Sequence, residues 1–441
     1  MNVIYPAIRS AVYPAVRGAL DISEKKQTPE QIIQSLFAQG QQGFWFPLTD
    51  FASLSQDSAG TLPYTAVQQP VGRVLDRSGR GNHATQVTST ARGLVSARVN
   101  LLVKSEDFTD PLWIKQGCTV VGSKLVEGMG TVTPRIEQNQ IGIAGVNYTL
   151  STVVEAGERV WVRVYEDSGG TLGAWFNLAT KTVGTVLAGA TASIQDLGGG
   201  RVRCSVTGGL VGSLFRTRVG ISVADASTAS YSGDGVSGLF VHSIDTRFTS
   251  QASLPYQRVT TPTDYDSVGF PKYLRLDGTD DFYTCGGGGS TTGFYYADVI
   301  RPMGGAGTGR FLMSDRIGGL TGYMLALTVA NKLELALGGG GIYTRCTSTD
   351  SIDVGTQYFI EAFDDGVNLQ VAVNGGTPVT VPRPATPTYG GSAIMLYKNT
   401  IGNDSIYNGQ VTEPIYRAGP PPSAYERGVI RAYQMQKAGM L

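Results

Sequence analysis

TLSTVVEAGERVWVRVYED, residues 149–167, alternates apolar and polar residues on both sides of a short turn at Gly157. Leu150, Thr152 and Val154 fall on one side of the first half, and Val160, Val162 and Val164 on one side of the second. A period of two over such lengths is the mark of a half-buried β-strand. The same pattern returns in GAWFNLAT (173–180), RVRCSVTG (201–208) and GLFVHSI (238–244), with glycine-rich turns between. Roughly seven or eight strands over residues 98–262 predict two packed antiparallel sheets.

Composition agrees with an all-β chain. Of 441 residues, 59 are glycine and only 16% are charged, with no Gly-X-Y period. Glycine spread among Val, Thr, Ser and Tyr suits many short strands joined by turns at positive φ. The 35 basic and 35 acidic residues cancel, and no basic cluster exceeds a few residues, so a nucleic-acid groove has little to build on. The four cysteines, at 118, 204, 285 and 346, form no CxxC spacing, and only two histidines are present. A zinc site is therefore not expected, and the count fits folding in a reducing cytoplasm. No apolar run reaches the ~18 residues of a membrane span. Arg9, Arg17 and the prolines at 6 and 14 break up the N-terminal apolar residues, which do not read as a secretory signal.

Along the chain, YPAIRSAV (5–12) and YPAVRGAL (13–20) form a tandem repeat, read as an extended arm. Thr28, Pro29 and Gln31 make a capping box ahead of the stripe Ile32, Ile33, Leu36 and Phe37, with Gly40 as the stop. This predicts a three-turn amphipathic helix, suited either to oligomerisation or to packing on its own chain. Residues 43–97 carry turn chemistry throughout, as in QDSAG (56–60), and read as a connector. His83, within PVGRVLDRSGRGNHATQ (70–86), reads as a hydrogen-bonding corner of a turn. A second sandwich begins at YLRLDGTDDFYTC (273–285), with hairpin turns at Asp365–Gly366 and Asn374–Gly375. Ser423 and Glu426 cap a final helix with the stripe Tyr425, Val429, Ile430 and Tyr433.

NLLVKSEDF (100–108), YTLSTVVEAG (148–157), WFNLATKTV (175–183), LGGGRVRCSVT (197–207) and YSGDGVSGLFVHSI (231–244) occur in that order and spacing. They resemble a carbohydrate-binding-like β-sandwich module that recurs in bacteriophage structural proteins. The second half, from LDGTDDF (276–282) to VAVNGG (371–376), resembles a concanavalin A-like or laminin-G-like jelly roll. Together the resemblances cover roughly 80% of the chain. They imply four segments: 1–42, an arm and helix for virion attachment and oligomerisation; 43–97, a connector; 98–262, the carbohydrate-binding-like sandwich; and 263–441, the jelly roll with its C-terminal helix. The implied protein is a virion component, a homotrimeric tail fibre or receptor-binding appendage holding a host surface glycan. It would contact other virion proteins through residues 1–42, without nucleic acid or membrane insertion. A capsid decoration, head-fibre or tail collar protein is the alternative.

Catalytic chemistry is not expected. No GxSxG elbow is present, and His83 and His242 lack the surroundings of a triad. Asp280–Asp281, Asp364–Asp365 and Glu361 with Asp364 do not place two carboxyls on one face of a strand, as a glycosidase needs. The glycine runs at 286–289 and 338–341 have no following Lys-Ser/Thr and are not phosphate loops. Trp113, Trp161 and Trp175 are assigned to the core. For sugar, the candidates are Tyr389, Tyr397, Asn399, Asn403, Asp404 and Tyr407, aromatics beside amides and a carboxylate. For calcium, oxygen ligands cluster at Asp277, Asp280 and Asp281.

Overall fold

A computed structural model describes residues 27–441 except 168, 170, 305–308 and 400–404. The tandem repeat of residues 5–20 lies outside the described residues. Two β-sandwiches account for nearly all the secondary structure, as the alternation predicts.

The first sandwich packs two six-stranded antiparallel sheets. One has Trp161–Tyr165 and Leu214–Ser222 at its centre, and the other has Asn147–Glu155 between Arg201–Gly209 and Gly238–Phe248. Arg201–Gly209 alternates as its sequence demands: Val202, Cys204 and Val206 point into a core shared with Leu150, Val154, Val162, Val164 and Phe215. Trp113 belongs to that core. Trp175 is equally buried but on the outer face of its sheet, beneath the Arg163 guanidinium at 4.5 Å, and Trp161 is half-buried.

In the second sandwich, two nine-stranded sheets face each other across a core that includes Phe44, Leu274, Phe294, Tyr296, Leu325 and Leu335. Residues 43–97 are not a connector. Gly43–Trp45 pairs with Ile415–Ala418, and Leu94–Ser96 pairs with Tyr273–Asp277. Leu54–Ser55, Arg73–Val74 and Ala84–Thr85 extend the opposite sheet. Strands of two or three residues are too short to show a period, and their turns dominate the sequence signal. The first sandwich is thus an insertion into the second. The chain leaves after Leu94–Ser96 and returns at Tyr273–Asp277, the neighbouring strand of the same sheet, so the excursion opens and closes at one place.

The Asn374–Gly375 turn forms as expected: both residues have positive φ, 51° and 72°, and the Gly376 amide donates to the Val373 carbonyl at 2.9 Å. His83 is a turn corner, its Nδ1 accepting from the Asp76 amide at 3.0 Å.

Helices α1 (Pro29–Ser35) and α2 (Ala424–Lys437) begin at the two capping boxes. The first is two turns long, shorter than expected, because the chain tightens into a 3₁₀ turn at Ala38–Gly40. Both lie on the outside of the second sandwich over Phe294–Pro302. That strand is buried on both faces, Phe294, Tyr296 and Ile300 toward the core and Tyr295, Ala297 and Val299 toward the helices. The α1 stripe expected to oligomerise is therefore covered by its own chain: Ile33, Leu36 and Phe37 pack with Ile430 and Tyr433 of α2. Tyr425, assigned to the α2 stripe, is exposed instead. No described helix is long and apolar enough to cross a membrane.

Candidate functional site

Among the described residues of the loop expected to hold sugar, Tyr397 and Tyr407 provide no aromatic platform. Tyr397 and Tyr407, at 1% and 0% exposure, are core residues with ring centroids 6.2 Å apart. A sugar-stacking ring must offer a face to solvent, and neither does. Tyr389 is half-buried, its hydroxyl accepting from Arg383 Nη2 at 2.8 Å, and Asn399 Oδ1 lies 3.4 Å from Arg316 Nη1. Asn403 and Asp404 lie outside the described residues. Tyrosine spacing alone could not reveal this, because strand-end tyrosines facing inward and loop tyrosines facing outward have the same local composition.

Asp277, Asp280 and Asp281 do come together, with carboxylate oxygens within 4.8 Å of one another. They serve their turn: Asp281 Oδ2 accepts from the Asp277 amide at 2.8 Å, and Asp277 Oδ1 accepts from the Thr279 amide at 2.7 Å. Burial, with the neighbouring acids adding to it, pushes the Asp281 carboxyl up to about 6. The oxygens suit a hard cation by type, but each bond described is internal to the turn.

An open cavity lies where the two sandwiches meet. A buried amide holds this joint. Gln257 Oε1 accepts from the Val99 and Asn100 amides at 2.7 and 3.0 Å, while its Nε2 donates to the Ala97 and Asp266 carbonyls at 2.8 and 2.7 Å. Outgoing and returning chains are thereby clamped side by side. Further out, the Gly355 amide donates to the Pro302 carbonyl at 2.6 Å, and Val146 and Phe248 crowd the space that a Gly355 side chain would fill. Between these contacts runs an open groove of about 700 Å³. Its polar lining includes Asn147, Thr249, Ser250, Asn331, Asp353 and Thr356, and its apolar lining Ile143, Val146, Phe248, Met303 and Val354.

Phe248 and Met303 also border a second cavity of about 250 Å³. It is lined by Gln68, Arg98, Gln251, Tyr273, Arg275, Asn408 and Gln410, with no Asp or Glu. The two cavities adjoin at Phe248 and Met303 and are together termed the trench, with a larger and a smaller lobe. Domain junctions are favoured places for ligand sites because each wall can be shaped independently. These residues come from positions 68 to 410, so no local motif marks them. The one available signal was Arg301 within FYYADVIRP (294–302), a cation at the end of an otherwise nearly apolar strand.

No family model matches the chain, and no curated protein matches it in sequence. Among solved structures it is similar to a native heptameric SAP-like pentraxin from Limulus polyphemus, at 10% identity and a TM-score of 0.27, over 32% of this chain and 71% of that one. It is also similar to the botulinum neurotoxin serotype D binding domain, at 10% identity and a TM-score of 0.30, over 37% of this chain and 42% of that one. The same domain in complex with N-acetylneuraminic acid gives 10% identity and a TM-score of 0.32, over 41% and 46%. The chain thus spans less than half of the neurotoxin domains it overlaps, and likenesses this low carry no argument about function.

Proposed function

We propose that this protein is a glycan-binding appendage of a bacteriophage virion, a tail fibre or receptor-binding subunit that attaches the particle to its host. The observation that supports glycan binding is the trench. Its larger lobe is lined by amides, hydroxyls and one carboxylate, Asp353, interspersed with apolar side chains. Sugar hydroxyls need donors and acceptors at close spacing, and the C–H face of a pyranose needs an apolar surface. Both kinds of group line this lobe, and each sandwich contributes some of each. The virion assignment rests on the sequence resemblances. A single shallow site in the mM range supplies about 4 kcal/mol, so a homotrimer that engages several copies at once gains roughly 10²- to 10⁴-fold in avidity. With the α1 stripe covered, contact between residues 1–42 and other virion proteins falls to the stretch before α1.

The test is a pull-down of the purified protein on intact bacterial cells, before and after their surface polysaccharide is stripped, beside an Asn147→Ala/Asp353→Ala variant. Binding lost on stripping and in the variant supports the reading; undiminished binding to stripped cells sinks it. One observation favours the alternative, a capsid decoration, head-fibre or collar subunit. Ile141 is 90% exposed, and its cross-strand partner Leu214 is 44% exposed, forming an apolar edge on the first sandwich suited to another virion subunit. Retention on phage capsids without any binding to cells would select that role.

A further inference from the structure

We infer that the trench selects anionic glycans, oligosaccharides bearing a carboxylate or sulfate, with the anion seated in the smaller lobe against Arg98 and Arg275. The inference rests on the glycan-binding reading and names its ligand class.

Four arginines converge on the joint, and none forms an ion pair among the described residues. Arg98 is anchored by its Nε to the Asn100 carbonyl at 2.8 Å and by Nη2 to the Leu101 and Leu102 carbonyls at 2.7 and 3.0 Å. Its Nη1 has no acceptor among the described residues. Arg275 stands exposed on the same lobe, on the strand that returns from the insertion. The rest of that lobe is amides, a serine, a phenol and apolar groups, which can bond sugar hydroxyls but cannot neutralise a guanidinium.

Behind the trench wall sit two more. Arg301 is 1% exposed; its Nη2 donates to Gln357 Oε1 at 3.0 Å and Ser250 Oγ at 3.3 Å, and its Nε and Nη1 are buried without partners. Arg310, also 1% exposed, donates to the Gly304 carbonyl at 2.8 Å and to Asn331 Oδ1, and its Nε is unpartnered. Ser250, Gly304 and Asn331 are themselves groove-lining residues. The wall of the larger lobe is therefore hydrogen-bonded to cations that have no ion-pair partner among the described residues. Guanidinium groups stay protonated when buried, and burying a charge without a counter-ion is costly. An anion in the trench offsets that cost, which a neutral sugar cannot do.

Opposing charge is limited. Asp353 lies in the larger lobe, and the Asp277–Asp281 turn follows Arg275 without lining the cavity. Across the chain the charges cancel, so the excess of positive charge is a property of the joint. The cavity holds two accessible guanidiniums and no extended basic row, which fits a single acidic group on a sugar and not a polyanion backbone.

The experiment is a glycan array carrying neutral, uronate- or sialate-bearing, and sulfated oligosaccharides. It is probed with the full chain as wild type, Arg275→Gln and Arg98→Gln. Binding confined to anionic glycans, weakened by salt and reduced about tenfold or more by Arg275→Gln, is the expected result; the carboxylate and sulfate arms identify the anion. Arg275 makes no side-chain hydrogen bond or ion pair among the described residues, so its variant tests the proposal even if loss of Arg98 unfolds the joint. Neutral glycans bound as well as anionic ones, with Arg275→Gln unaffected, overturns the anion preference and leaves glycan binding standing. No glycan bound at all overturns both.

Discussion

Replacing Glu413 with Gln should change how stability depends on pH. Glu413 is fully buried between the helix pair and the sheet beneath it. Its Oε1 accepts from Trp45 Nε1 at 2.7 Å and from the Tyr433 hydroxyl at 3.0 Å, and its Oε2 has no partner. Burial pushes the carboxyl up from its ordinary 4.5 to about 7; the Trp45 and Tyr433 donors and Lys437 pull the other way, and Glu30 adds to the rise. The folded state therefore holds this proton over a range where the unfolded chain releases it. Stability from this source is fully present below about pH 4.5 and is lost as pH rises toward and through about 7. At about 1.4 kcal/mol per pH unit, the gap amounts to about 3 kcal/mol, most of which falls between pH 5 and pH 8. Gln keeps an oxygen for Trp45 and Tyr433 and cannot ionise. Urea unfolding of wild type and Glu413→Gln at the two pH values measures the difference. The variant should gain about 2–3 kcal/mol on wild type at pH 8 relative to pH 5. Asp298, which burial also pushes up to about 7, is common to both proteins and cancels. Stability profiles that run parallel would refute the reasoning.

Three further outcomes are expected. Gln257→Leu strips four backbone groups, three of them buried, of their partner; at about 1–3 kcal/mol for each buried orphaned group, the joint should open to limited proteolysis near residues 97–100 and 257–266, and an unchanged digestion pattern would show that the clamp is dispensable. Gly375→Ala puts a side chain at φ 72° and onto the Arg431 guanidinium, so it should lower the melting temperature through a loss of about 1 kcal/mol or more, whereas Gly376→Ala, at ordinary φ, should cost less. Glu127 is buried and would by burial alone titrate high, but the Arg159 fork at 2.6 and 2.8 Å and the Tyr231 hydroxyl at 2.6 Å hold its carboxyl below the ordinary range. The stability it contributes is present above the ordinary value of 4.5 and lost as pH falls through the depressed one. Glu127→Ala should cost about 3–5 kcal/mol at neutral pH, with a smaller deficit in acid, measured by denaturation at pH 7 and pH 3.

Local rules carried the sequence reading far where structure is itself local. The strands of residues 149–167 and 201–208, the Asn374–Gly375 hairpin and both capping boxes were legible because period-two burial, positive φ and cap hydrogen bonds involve residues close in the chain. Where burial depends on distant partners, the reading failed. Tyr397 and Tyr407 looked like loop aromatics and are core. Residues 43–97 looked like linker and supply strands to both sheets, because a strand of two residues is made by its partner and not by its own pattern.

The sequence by itself determined an all-β chain, two sandwiches, their principal hairpins and the helix starts, since each follows from spacing within about ten residues. Only the tertiary structure decided that one sandwich is inserted into the other. That topology brings Arg98 and Arg275 to the lining of one trench, with Arg301 and Arg310 hydrogen-bonded to its lining residues. Their separation in sequence hides the cluster, and the net neutrality of the chain conceals its charge. Electrostatic character at a joint is set by which strands become neighbours, a decision made by packing.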